Sequence, residues 1–172
     1  MYNFEFAKPK TVAAAASAMA AEGAQALGGG QTLLPTMKQR LAAPEVLGSL
    51  TDVEGMVGVR ASGNTLTIGG ATTHSEVAAA TAGLFPGLSG LAGNIGDPAV
   101  RNRGTIGGSL ANNDPAACYP AGALGSGATI TTNKRAIAAD DYFQGMFETA
   151  LDEGEIITSV SFPIPEKANY QK

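Results

Sequence analysis

The stretch RNRGTIGGSLANNDPAAC, residues 101–118, combines a glycine pair with hydroxyl, amide and carboxylate side chains. Paired glycines let a ligand approach the main chain closely, and backbone N–H groups exposed in such a turn bind anions. Thr105 and Ser109 flank the glycines at 107–108 with further hydrogen-bonding groups, and Asp114 offers an acceptor for ribose hydroxyls. The pattern predicts a site for a phosphorylated ligand that contains ribose. A glycine turn without a ligand is the alternative.

A second glycine cluster, Gly28-Gly29-Gly30-Gln31-Thr32-Leu33, follows a short apolar segment at 24–27 that predicts a buried strand. Pro35 suits the first turn of a helix, so we expect a helix that continues over 37–41. A strand, a glycine turn with a hydroxyl and a helix N-terminus together make a good geometry for phosphate. The spacing matches neither the Rossmann fingerprint nor a Walker A loop. A plain helix-entry turn is again the alternative.

The apolar pattern along the chain predicts an α+β protein with two lobes. A small α/β lobe is expected over about residues 1–50, with strands near 4–6 and 46–50 and an Ala-rich helix over 12–22. A mixed lobe of sheet and helices is expected over about residues 51–172. Each lobe then carries one glycine cluster, and we expect the two clusters to face each other across a cleft.

Composition and charge disfavour several classes of function. The net charge is −4 and no basic tract is present, so nucleic acid is not an expected partner. No apolar run approaches the roughly 20 residues that span a bilayer. The single cysteine and single histidine leave no ligands for an internal zinc or iron–sulfur site. The first residues do not resemble a signal peptide, so a cytoplasmic location is expected.

No catalytic constellation is predicted. Thr73-His74-Ser75-Glu76 predicts a capping box, which places His74 at the first position of a helix with its side chain in solvent. No nucleophile or carboxylate is evidently paired with this histidine, and a G-x-S-x-G elbow is absent. A chain that binds a large cofactor without supplying catalytic side chains indicates that the cofactor does the chemistry.

Several segments together resemble the FAD-binding subunit of molybdenum hydroxylases. They are LGGGQTLLP at 27–35, GATTH at 70–74, VRNRGTIGGS at 100–109, DYF at 141–143 and EII at 155–157. The family includes the medium subunit of aerobic carbon monoxide dehydrogenase and the flavin domain of xanthine dehydrogenase. The resemblance covers essentially the whole chain, and the R-N-x-G-T-I-G-G run is its most specific part.

The resemblance implies a two-lobed FAD-binding domain of the PCMH (vanillyl-alcohol-oxidase-like) type, with FAD held between the lobes. The two glycine segments would wrap the pyrophosphate through backbone amides and hydroxyls, and apolar side chains at Ile95 and Ile157 would lie near the cofactor. The implied cofactor-binding residues are Gly28, Gly29, Gly30, Gln31, Thr32, Leu33, Ile95, Thr105, Ile106, Gly107, Gly108, Ser109, Asp114, Cys118 and Ile157.

The resemblance also implies partner subunits. Electrons would originate at a molybdenum cofactor on a large subunit and reach the FAD through iron–sulfur clusters on a small subunit. The reduced FAD would pass them to NAD, a quinone or oxygen. The alternatives are a module that binds a nucleotide without redox chemistry, a truncated flavoprotein domain without independent activity, and a single-chain flavin reductase or oxidase.

The chain departs from the family pattern at three places. Gly28 stands where the family usually has alanine, a mild change that is expected to loosen the loop. Cys118 stands where many members have an aspartate that helps to hold the cofactor, and the nearby Asp114 is expected to compensate. Family members continue beyond the position of Lys172 into a second, smaller domain, which is expected to be absent here.

Overall fold

The computed structural model describes all of residues 1–172. Its first five elements form a parallel three-stranded sheet with two crossover helices, in which the third strand lies between the other two. Helical crossovers are what parallel strands require, because a tight turn cannot join them. These elements are β1 (Glu5–Ala7), α1 (Val12–Met19), β2 (Ala24–Leu27), α2 (Leu33–Lys38) and β3 (Val46–Ser49).

The rest of the chain builds an antiparallel five-stranded sheet, a small hairpin and six short helices. The order of the strands in the large sheet is β4-β5-β10-β6-β7. The elements are β4 (Val59–Ser62), β5 (Thr65–Gly69), α3 (His74–Thr81), α4 (Pro86–Gly93), α5 (Pro98–Arg101), α6 (Ile106–Asn112), α7 (Cys118–Gly125), β6 (Thr129–Thr132), β7 (Ala136–Ala138), α8 (Ala139–Tyr142), β8 (Phe143–Gly145), β9 (Glu148–Thr149) and β10 (Ile157–Pro163). The α+β architecture expected from the sequence is confirmed.

Two hydrophobic clusters hold the fold together. The larger cluster joins the five-stranded sheet to α3, α4, α6 and α7. The smaller cluster lies under α1, where Ala15 and Met19 are buried. It also contains Met56, Ala71 and Ile156, which come from the second part of the chain. These three residues fasten the second lobe to the first, because their burial depends on both.

Two helices differ from the sequence-based expectation. Helix α2 has Pro35 in its first turn as expected, but it ends at Lys38 rather than continuing to residue 41. The Gly107-Gly108 pair lies inside α6 rather than in an open turn, and neither glycine has a positive φ. The reason is the Thr105 side chain, which accepts a hydrogen bond from the Gly108 N–H at 3.1 Å and so starts the helix. With eight residues in the longest helices, none has the length or the apolar character for a transmembrane span.

Helix α6 ends in a turn that holds the β8–β9 hairpin. Its C-cap, Asn113, has a left-handed backbone with φ 41°. The Asn113 side-chain amide donates to the carbonyls of Gly145 at 2.7 Å and Glu148 at 2.8 Å, and its own carbonyl accepts from Phe147 N–H at 3.1 Å. Phe147 is also left-handed, with φ 59°, although its side chain is 60% exposed. The hairpin turn is therefore fixed by one buried asparagine.

Candidate cofactor site

A cleft of about 470 Å³ lies between the two lobes. This volume falls within the range of about 300–1,000 Å³ that is usual for ligand sites. Eleven of the predicted site residues line it, and both glycine clusters contribute: Gly28, Gly29, Gly30, Gln31, Thr32, Leu33, Ile95, Thr105, Gly108, Ser109 and Asp114. The structure thus brings together two segments that are more than 70 positions apart in the sequence. No lysine or arginine lines the cleft.

The first glycine cluster offers a row of open backbone donors. None of the N–H groups from Gly28 to Thr32 donates a hydrogen bond within the chain. Gly30 has a positive φ of 71°, which turns the main chain toward the start of α2. Successive N–H groups before a helix bind anions through their dipoles. Because no basic side chain lines the cleft, this row is the feature suited to hold phosphate.

The second glycine cluster uses its amides inside the protein. Ile106 N–H donates to Thr72 O at 3.1 Å, and Gly107 N–H donates to Gly70 O at 2.9 Å. Gly108 N–H is satisfied by the Thr105 side chain. Thr105, Gly108 and Ser109 are the residues of this segment, among those predicted for the site, that line the cleft.

The two clusters touch at one side of the cleft. A Cβ atom on Gly29 would lie 1.8 Å from Arg103 O, and one on Gly28 would lie 2.6 Å from Thr105 Oγ1. Position 29 therefore needs glycine, because the atoms that its Cβ would meet belong to the backbone, whereas position 28 meets the side chain of Thr105. The glycine at 28, where the family usually has alanine, lies against the side chain of Thr105.

Four predicted site residues do not line the cleft. Gly107 and Ile157 line a smaller cavity of about 70 Å³, which also borders Gly108. Ile106 lies in the larger hydrophobic cluster. Cys118 is buried in the same cluster, and its Sγ accepts a hydrogen bond from Lys172 Nζ at 3.4 Å. The thiol thus meets the C-terminal segment, whereas Asp114 lines the cleft.

His74 is a cleft-lining residue that the sequence analysis wrongly placed in solvent. The capping box at Thr73 is confirmed, but the His74 side chain is only 4% exposed and lines the cleft. A bridge between Thr73 and Thr105 brings the start of α3 against the second cluster, where His74 N–H donates to Gly104 O at 3.0 Å. Burial lowers the pKa of His74 to about 4, so the imidazole is neutral at pH 7. A side chain at the first position of a helix is usually exposed to solvent. Here the bridge between Thr73 and Thr105 buries it.

The arrangement fits a dinucleotide. The open N–H groups suit a pyrophosphate, and Asp114 and Ser109 suit sugar hydroxyls. Leu27, Ile95 and Val100 supply apolar lining in the same cleft. No group of three or more histidine, cysteine, aspartate or glutamate side chains is placed to hold a metal ion. The fit therefore rests on backbone donors and small side chains.

Comparison with known protein families identifies the family of this chain. The family described as "FAD binding domain in molybdopterin dehydrogenase" matches residues 2–165. The chain belongs to this family. The FAD-binding domain that the family resemblance implied is thereby confirmed, together with its PCMH-type fold.

Individual relatives agree with this assignment of an FAD-binding domain. The carbon monoxide dehydrogenase medium chain of Afipia carboxidovorans is 37% identical over 171 residues, which are 95% of this chain and 59% of the relative. The nicotine 6-hydroxylase medium subunit of Paenarthrobacter nicotinovorans is 36% identical over 148 residues, 83% of this chain and 52% of the relative. The chain thus spans little more than half the length of these two relatives.

Solved structures show the same fold. A crystal structure of the Cu,Mo-CO dehydrogenase in a cyanide-inactivated form superposes with a TM-score of 0.91 at 37% identity, covering 95% of this chain and 60% of that one. Quinoline 2-oxidoreductase from Pseudomonas putida 86 gives a TM-score of 0.92 at 31% identity, over 96% and 60% of the two chains. The two-lobed architecture is therefore common to this domain and to both enzymes.

Proposed function

We propose that this FAD-binding domain is the electron-transfer module of a molybdenum hydroxylase. The observation that carries the proposal is the row of unpartnered N–H groups from Gly28 to Thr32, whose residues line the cleft between the two lobes. These groups would hold the pyrophosphate of FAD. Thr105 and Ser109 would bound the same segment from the second lobe. Bound FAD supplies the redox chemistry, accepting and releasing electrons.

We further propose that the domain works with a molybdenum-containing large subunit and an iron–sulfur small subunit. Several relatives are named as medium chains or subunits of dehydrogenases and hydroxylases, which supports an assembly of several chains. Electrons would arrive from the iron–sulfur clusters and leave to NAD, a quinone or oxygen. A cytoplasmic location is part of the proposal, and the buried free thiol of Cys118 is compatible with a reducing compartment.

The pyrophosphate site leaves one rival function, a nucleotide-binding module without redox chemistry. Open N–H groups recognise any dinucleotide or nucleoside diphosphate, because they contact the phosphates alone. The rival is favoured if ADP binds the chain and the flavin ring adds nothing to affinity. The proposed function requires the flavin end of FAD to contribute as well.

The experiment is a titration of the purified chain with FAD, followed by ADP and AMP as competitors. We expect a flavin absorption spectrum that shifts on binding and bleaches with a strong reductant. ADP should displace FAD more effectively than AMP, since only ADP carries the pyrophosphate. Equal affinities for FAD and ADP would favour the rival module. No binding of either ligand would contradict both.

A further inference from the structure

Two buried polar side chains lie close together at the start of α3 and of α7. The rings of His74 and Tyr119 are 5.4 Å apart between centroids and tilted by 42°. His74 Nδ1 and the Tyr119 hydroxyl are both buried without a hydrogen-bond partner. Unpartnered buried polar groups destabilise a fold and are rare in native proteins. Each of the two therefore needs an explanation.

The two side chains differ in their position relative to the cleft. His74 lines it, whereas Tyr119 does not. The edge of the imidazole lies against Gly104, another lining residue: a Cβ atom there would be 2.6 Å from His74 Nε2 and 2.9 Å from Cδ2. The ring is thus fixed between the Tyr119 ring on one side and the backbone of the second glycine cluster on the other.

The chemistry of a neutral imidazole indicates which ring nitrogen of His74 can donate a hydrogen bond to a ligand. Such a ring carries one N–H and one acceptor nitrogen. With the hydrogen on Nε2, the shielded Nδ1 is left as an unfilled acceptor, and the donor lies beside Gly104 at the cleft wall. Phosphate and hydroxyl oxygens of a bound dinucleotide are the acceptors that this donor suits.

We propose that His74 is a binding residue of the FAD site, donating a hydrogen bond from Nε2 to the ribityl–pyrophosphate segment of the cofactor. The proposal rests on the proposed function, because it assigns a contact within the same cleft. It gives a role to the polar ring at a position where phenylalanine would pack against Tyr119 without leaving a buried nitrogen unpartnered. His74 Nδ1 stays an unfilled acceptor under this assignment, and nothing in the structure explains the Tyr119 hydroxyl.

The sole histidine makes a direct test possible. Histidine labelled with ¹⁵N gives the signals of His74 alone, and their chemical shifts report protonation and hydrogen bonding of each ring nitrogen. Saturating FAD should shift the Nε2 signal more than the Nδ1 signal. Unchanged shifts at both nitrogens, in a chain whose flavin spectrum proves that FAD is bound, would overturn the proposal.

Substitutions separate the hydrogen bond from the packing. His74→Phe keeps an aromatic ring against Tyr119 but removes both nitrogens, and we expect its FAD dissociation constant to rise about tenfold. His74→Gln places an amide near the position of Nε2, and His74→Asn places one near Nδ1. Gln should therefore restore more of the affinity than Asn. The opposite order, or wild-type affinity in His74→Phe, would contradict the assignment.

Tyr119→Phe is the matched control. It removes the other unpartnered polar group from the same ring pair but leaves the cleft lining intact. We expect unchanged FAD affinity and a higher melting temperature of the FAD-free chain, because an unsatisfied hydroxyl is lost. If Tyr119→Phe weakens FAD binding as much as His74→Phe does, the effect comes from the core and the proposed contact is wrong. A wild-type chain that binds no FAD instead contradicts the proposed function itself.

Discussion

The two glycine clusters resemble each other in sequence but use their backbone N–H groups differently. Gly28 to Thr32 line the cleft and donate none of their N–H groups within the chain, whereas Ile106 and Gly107 donate theirs to the carbonyls of Thr72 and Gly70. The first cluster is the binding surface that we propose, and the second mainly packs within the second lobe while Thr105 and Ser109 line the cleft. A pair of glycines beside a hydroxyl therefore predicts close backbone approach, but not whether a ligand or another chain segment approaches.

The largest expected effect comes from adding a methyl group where two backbones meet. In Gly107→Ala the new Cβ would lie 2.5 Å from Gly70 O, a backbone atom just after β5 that cannot move aside cheaply. Overpacking of this kind costs about 1–3 kcal/mol or more. Thermal unfolding of the FAD-free chain measures it.

Two matched variants sharpen that comparison. In Gly108→Ala the Cβ would meet only Thr105 Oγ1, at 3.0 Å, so a smaller loss is expected. Gly83→Ala is the neutral control, because nothing lies within 4 Å of its Cβ and its φ is ordinary. Equal stability of Gly107→Ala and Gly83→Ala would contradict the close packing of the second cluster within its lobe.

The pH dependence of stability tests whether the second cluster buries His74. The unfolded chain binds a proton near the ordinary histidine pKa of 6.5, but the folded chain does so only near 4. The unfolded state thus binds more protons between these values, and stability falls as the pH drops from 6.5 to 4, by about 3 kcal/mol at most. Chemical denaturation across this range should show the slope in wild type and not in His74→Phe. An equal slope in both would mean that His74 is exposed.

Stability is also expected to change with pH in a more acidic range, through a residue of the smaller cavity that borders the second cluster. Glu155 lines that cavity beside Gly107 and Gly108. Burial alone would raise its pKa, but hydrogen bonds from Arg135, Thr132 and the Asp152 N–H lower the pKa of Glu155 to about 2.

Stability from this network is present above the unfolded pKa near 4.5 and is lost as the pH falls toward 2. Because half-exposed Arg135 is screened by water, we expect this network to contribute about 1–2 kcal/mol to the free energy of unfolding. Glu155→Gln should remove the slope below pH 4.5 while leaving the histidine window intact. A slope that persists in this variant would assign the acidic window to other carboxylates.

The sequence predicts the parts of this molecule that local rules decide. The capping box at Thr73 and the strand–glycine–helix unit at the first cluster both follow from short-range chemistry, and the structure confirms them. The α6 helix was missed because its two glycines are poor helix formers. Burial of His74 and the turn of Cys118 away from the cleft depend on contacts across 30 to 54 positions, which no local pattern encodes.

The smallest expected effect lies at the far end of the second cluster, where α6 passes into Asn113. That residue holds the β8–β9 turn and keeps Phe147 in a left-handed conformation. A left-handed backbone costs a residue with a Cβ about 1–2 kcal/mol, and glycine avoids this cost. Phe147 is exposed, so little packing is lost with its ring. Phe147→Gly should therefore stabilise the chain by up to about 1 kcal/mol, after the entropy of the new glycine is counted.

Met146→Gly is the control for this last effect. Met146 occupies the same turn and is even more exposed, but it has no positive φ. Its replacement removes an apolar side chain and adds backbone freedom without relieving strain, so it should destabilise slightly. A stabilisation of both variants alike would mean that loss of exposed apolar surface, rather than the backbone at Phe147, is responsible. In that case Asn113 would tie the hairpin to the second cluster without straining it.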